Sequence, residues 1–118
     1  MLKTPELQYV SYKCGRLAYR EAGKGPDLCF LHGMNGSSRS WFHIFEALAP
    51  SFHIVAWDAP SFGASDVFGD KIEDYVDAAK ALMQAVEIRE AIVVGHSMGG
   101  DLRLGILAAE FSIGTAWA

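Results

Sequence analysis

Residues 91 to 100 read AIVVGHSMGG, an apolar run that stops at a serine fenced by glycines. Gly95-His96-Ser97-Met98-Gly99 satisfies G-x-S-x-G, a spacing suited to a nucleophile. A serine on a sharp strand-to-helix bend takes strained backbone angles that push its hydroxyl out of the sheet. Glycines two before and two after let neighbouring backbone pass without Cβ clashes. A helix starting there offers free N–H groups and the positive end of its dipole to an anion. The matching chemistry is attack of the Ser97 hydroxyl on a carbonyl carbon, giving an acyl-enzyme. The resulting oxyanion needs two N–H donors, each typically worth about 3 kcal/mol in the transition state. Met98 supplies one backbone N–H. Met34 is the second candidate, in His32-Gly33-Met34-Asn35-Gly36 directly after the apolar run LCFL.

Several elements must position these groups. QYVSYKCGRLAYREAG alternates around Gly15 and predicts a hairpin of two short strands. LCFLH (28–32), FHIVAW (52–57) and AIVVG (91–95) read as buried strands. Ser40 is placed to cap a helix over WFHIFEALA, with Trp41, Ile44, Phe45 and Leu48 on one face. A second helical stripe runs through Ile72, Tyr75, Val76, Ala79, Leu82, Met83 and Val86. A third helix is expected from MGGDLRLGILAAEF. A hairpin followed by alternating strands and helices predicts an α/β fold with a mostly parallel sheet.

Composition excludes several alternatives. The formal net charge is −4 and the basic residues are scattered singly, so no nucleic-acid partner is expected. MLKTPELQYVSY lacks the apolar core of a signal peptide, and no apolar run approaches the roughly 18 residues of a membrane span. The expected location is cytoplasmic, without a membrane partner. Cys14 and Cys29 have neither CxxC spacing nor a matching histidine pair, so no metal is expected, and Cys29 reads as a core residue. GKGPD does not satisfy a phosphate-binding loop. GHSMGG places serine where a dinucleotide-binding loop needs its second glycine, and no acidic residue follows about 20 positions later. No cofactor is implied.

Three segments together resemble the α/β-hydrolase fold family: LHGMNGSSRSW as the His-Gly oxyanion loop, WDAPSFGASD as the D-x-P-G-x-G-x-S loop, and VVGHSMGG as the nucleophile elbow. The finer detail of residues 40–66 is most similar to bacterial ester and lactone hydrolases of the enol-lactonase type. The resemblance implies strand order 1-2-4-3-5 with flanking helices and a small-molecule acyl substrate. It also implies that residues 1–118 form the N-terminal part of such a domain, with 112–118 an atypical tail replacing the turn and sixth strand. Ser61 departs from the family by replacing the first glycine of its P-G-x-G turn. Arg103 departs by standing where small or apolar residues face the sheet.

The same resemblance places the triad acid and histidine after this segment, so the chain is expected to lack both and to be nearly inactive alone. Each of its four histidines reads as structural. His96 is a support beside the nucleophile, His32 a buried, hydrogen-bonded residue of the oxyanion loop, His43 a helix residue and His53 the start of a strand. Asp58 and Asp66 read as turn-capping residues, and Asp101 as a helix-start acid. A sheet ending at strand five would leave AIVVG as an open apolar edge, inviting self-association. The alternative reading is a non-catalytic truncated product with a hydrolase-like fold.

Overall fold

The hairpin forms where the alternation predicts it. In a computed structural model describing residues 4–32, 36–69, 71–88, 91–95 and 113–115, β1 (Gln8–Tyr12) pairs antiparallel with β2 (Gly15–Ala22), Tyr12 opposite Gly15. The turn residue Lys13 takes φ 51°, the left-handed geometry that two-residue hairpin loops require. The three apolar runs become β3 (Asp27–Leu31), β4 (His53–Trp57) and β5 (Ala91–Gly95). β2 lies antiparallel to β4, while β4 and β5 flank β3 in parallel. The first five strands therefore lie in the expected order, 1-2-4-3-5.

Alternation along the strands divides the core into two layers. Odd positions, including Leu17, Cys29, Leu31, Val55, Trp57 and Val93, pack with Val76, Ala79, Leu82 and Met83 of α2 (Ile72–Ala85). Even positions, Leu28, Phe30, Ile54 and Ala56, pack with Phe45 of α1 (Phe42–Leu48). Strands covered on both faces must be apolar at consecutive positions, which is why these runs do not alternate with polar residues. Burial pushes the Cys29 thiol up to about 12, leaving it an inert packing group.

Three expectations need correction. A sixth strand, β6 (Ile113–Thr115), pairs in parallel with Ala91–Val93 of β5, so the edge expected to be open is covered there. Its three residues carry no strand-length pattern; the register of β5 selects them. Ser40 does not cap α1, whose N-cap position is Trp41 with no side-chain hydrogen bond; the capping serine is Ser37, one turn earlier. Ser37 is extended and its hydroxyl accepts the Arg39 N–H at 3.2 Å, while Ser40 Oγ accepts the Ser37 N–H at 3.1 Å. This reciprocal cap opens a 3-10 turn over Ser38–Trp41 ahead of α1. Ile72, the first residue of the second stripe, is 45% exposed because the helix starts there, outside the contact with the sheet.

The burial difference along α2 has a direct consequence. Leu82 is 1% exposed, so Leu82→Ala should cost about 2–5 kcal/mol in denaturant unfolding through lost burial and a residual cavity. Ile72→Ala should stay within about 0.5 kcal/mol.

Candidate active site

Parallel pairing brings the chemically interesting loops together. Leu31 pairs with Gly95, the last residue of β5, and Phe30 pairs with Ala56, one residue before Trp57. The chain thus leaves β3, β4 and β5 at one level of the sheet, with neighbouring strands about 4.8 Å apart. His32-Gly33-Met34 follows the first exit, Asp58-Ala59-Pro60 the second and His96-Ser97-Met98 the third. α1 and α2 follow β3 and β4 onto opposite faces of the sheet, so the first two connections diverge above it. Crevices outside the carboxyl ends of parallel strands are where α/β folds bind ligands. Ser97, Met98, Met34, His96, Asp101 and Arg103 lie outside the described residues.

The loop after β4 is built around a buried carboxylate. Asp58 is 2% exposed. Its Oδ1 accepts the Ser38 N–H at 2.7 Å and its Oδ2 the Ala64 N–H at 2.9 Å. Its backbone N–H donates to the Ala18 carbonyl at 2.9 Å, and its carbonyl accepts the Ser65 hydroxyl at 2.5 Å. Ser65 Oγ in turn accepts the Ala18 N–H at 2.8 Å. The D-x-P-x-x-G-x-S pattern is therefore a wiring diagram: the aspartate ends the strand, and the serine ties the returning loop to β2. Glycine is required at 63, where φ is 51° and an added Cβ would stand 2.3 Å from Asp58 Oδ2. Asp66 accepts the Arg16 N–H at 2.8 Å. Both aspartates hold turns, the second at an exposed position.

His32 is buried, and its Nε2 accepts the Ala59 N–H at 3.0 Å. An accepting imidazole nitrogen carries no proton, so this ring presents any N–H from Nδ1. Its ring also meets Phe62 edge-on, with centroids 5.4 Å apart. His43 is exposed and stacks on Phe42. Both fit the structural reading.

His53 overturns the expectation that the chain lacks an acid and a histidine. Its Nδ1 lies 2.7 Å from Asp27 Oδ1 and its Nε2 2.5 Å from Glu21 Oε1. Carboxylates accept, so both contacts are hydrogen bonds at once when the imidazole carries its second proton. Asp27 and His53 stand 26 positions apart in sequence, and only the β3–β4 register sets them opposite one another. Glu21 arrives from β2. The trio joins three strands at the amino ends of β3 and β4, four strand positions or about 13 Å below the level of Gly95. Among the described residues, no group of three His, Cys, Asp or Glu is arranged to hold a metal ion.

With this geometry, the class of the protein follows. Residues 26–105 match the model of the alpha/beta hydrolase fold family, and the chain belongs to that family. It is similar to 2-hydroxy-6-oxo-6-phenylhexa-2,4-dienoate hydrolase of Comamonas testosteroni, 35% identical over 73% of this chain and 32% of that protein. Among solved structures it resembles a haloalkane dehalogenase loop variant from Bradyrhizobium elkanii, with TM-score 0.87 and 29% identity over 98% of this chain and 40% of that one. An N-acyl homoserine lactonase solved with N-butanoyl homoserine also matches, with TM-score 0.82 and 29% identity over 88% of this chain and 40% of that one. The chain spans 24–34% of the length of the curated relatives it matches. Among the described residues no helix is long and apolar enough to cross a membrane.

Two predictions concern this region. Burial opposes charging His53, but hydrogen bonds and charge from Asp27 and Glu21 outweigh it and raise its pKa above 6.5. Its contribution to stability is complete below the ordinary histidine pKa and is lost as pH climbs through the raised folded value. Melting temperature should fall on passing upward through that window, and His53→Gln should flatten this part of the profile. At Ser61, φ is 72°, a left-handed conformation that disfavours any side chain. Ser61→Gly should therefore raise unfolding stability by about 0.5–1 kcal/mol, the relief of strain less the entropy of glycine.

Proposed function

We propose that this chain carries the nucleophile and both oxyanion donors of an acyl hydrolase acting on an ester, lactone or related bond. The nucleophile is Ser97. The backbone N–H groups of Met34 and Met98 receive the oxyanion. The observation that carries this reading is the level ending of β3 and β5, Leu31 opposite Gly95. Those two strand ends are neighbours in the sheet, so the segments carrying Met34 and Met98 start from adjacent positions.

The chemistry runs through an acyl-enzyme. Ser97 Oγ bonds to the carbonyl carbon as its proton passes to a base, and the carbonyl oxygen takes up negative charge between the two N–H donors. Collapse expels the alcohol, which takes a proton as it leaves; water then releases the acid by the reverse sequence. In this mechanism the base is a histidine oriented by a carboxylate. His53 meets that description as a hydrogen-bonded pair, but its place at the amino ends of β3 and β4 gives it a strand-joining task. Similarity to the homoserine lactonase supports an ester or lactone as the bond broken. Residues 1–118 are read as the N-terminal part of the hydrolase domain, with 112–118 its atypical tail.

The test is hydrolysis of an activated short-chain aryl ester and of a simple lactone by the 118-residue chain and by Ser97→Ala. Turnover should be lower in the variant than in the wild-type chain, with the fold intact by circular dichroism. Equal rates in the two proteins would remove Ser97 from the mechanism. His53→Gln should lower thermal stability while leaving kcat within about twofold, because the strand register keeps that ring about 13 Å below the exits.

A further inference from the structure

The residues on either side of segment 33–37 are fastened to two adjacent residues just beyond β4. Before it, His32 Nε2 accepts the Ala59 N–H at 3.0 Å. After it, Ser38 donates its N–H to Asp58 Oδ1 at 2.7 Å. Ser38 is fully buried and is held from its other side by Arg20, whose Nε donates to Ser38 Oγ at 2.9 Å. Arg20 is fixed in turn by a bond to the Pro5 carbonyl.

A buried carboxylate is costly unless its oxygens are satisfied. A turn could be closed more cheaply by an amide or a hydroxyl. Two N–H donors converging on one side chain from different segments, Ser38 and Ala64, call instead for a group with two accepting oxygens. Aspartate offers that at this length. Asparagine would turn an NH₂ toward one of the donors.

We propose that Asp58 is a positioning residue of the hydrolytic site. By holding Ser38 with one oxygen and Ala64 with the other, it fixes the frame from which segment 33–37 presents its N–H to the oxyanion. The proposal rests on the reading of Ser97 and Met34 above. Asp58 touches no reacting atom. It acts through the placement of a donor that matters in the transition state far more than in the ground state. Displacements of about 1 Å at such a donor are enough to lower rates by about 10²-fold.

The test combines amide exchange with kinetics on the whole chain. In Asp58→Asn, the Ser38 or Ala64 amide should exchange at least about tenfold faster, while those of Leu82 and Met83 in α2 keep wild-type protection. With the aryl ester, kcat should fall at least about tenfold and KM should change less than about twofold. Should Asp58→Asn fail to fold, Ser38→Pro removes the donating N–H together with the hydroxyl. Proline suits this first position of the 3-10 turn, and the preceding Ser37 already has the extended φ of −163° it requires. Ser38→Ala gives the baseline for losing the hydroxyl, and Ser38→Pro should show a lower kcat than it at similar KM. Unchanged kcat, or a rise in KM of the same size, in a protein where Ser97→Ala is inactive would overturn the positioning role alone. Equal turnover by wild type and Ser97→Ala would overturn the site reading, and the positioning role with it.

Discussion

β3 is bonded in parallel on both sides, to β4 and to β5, with all three ending within a residue of one another. That single register constrains most of what surrounds it. It sends three connections out of one end of the sheet and makes consecutive residues of β3 face opposite layers, so Leu28 and Phe30 meet α1 while Cys29 and Leu31 meet α2. It also sets Asp27 opposite His53 at the other end. A slip by one residue would exchange the two faces of β3 and separate the loops at once.

The two ends of the sheet handle buried charge differently. At the carboxyl end, Asp58 is satisfied by backbone N–H groups from separate segments, so its charge organises loops. At the amino end, Asp27 and Glu21 share His53 and bind strands together through a group that can lose its proton. The second depends on the protonation of an imidazole.

By their names the relatives act on a dienoate, a haloalkane and a homoserine lactone, yet each shares a portion of its length with this chain. A scaffold that ends three strands level can host any chemistry in which a nucleophile and N–H donors converge, and specificity is grafted on by whatever lines the crevice. Within residues 58–66 the chain also tolerates a local departure. Ser61 adopts a left-handed backbone conformation that glycine would take without strain, its N–H bonded to the Asp66 carbonyl at 3.0 Å.

The hairpin, three buried strands, the α2 stripe and the parallel class could be read from the sequence because each rests on local periodicity and turn chemistry. The motif aspartate and histidine were also visible: Asp58 and His32 carry the structural tasks that the D-x-P and His-Gly patterns imply. The cap was misread because Ser37, Ser38 and Ser40 are chemically alike, and only the extended backbone at Ser37 distinguishes them. β6 escaped notice because three residues hold no period. The Glu21–Asp27–His53 trio escaped because its members come from three strands and no local pattern joins them. Sequence by itself determined the hairpin, the three buried strands and the α2 stripe, since those follow from neighbours along the chain. Tertiary structure alone decided which charges meet and which edge is covered, because these depend on strand register across the sheet.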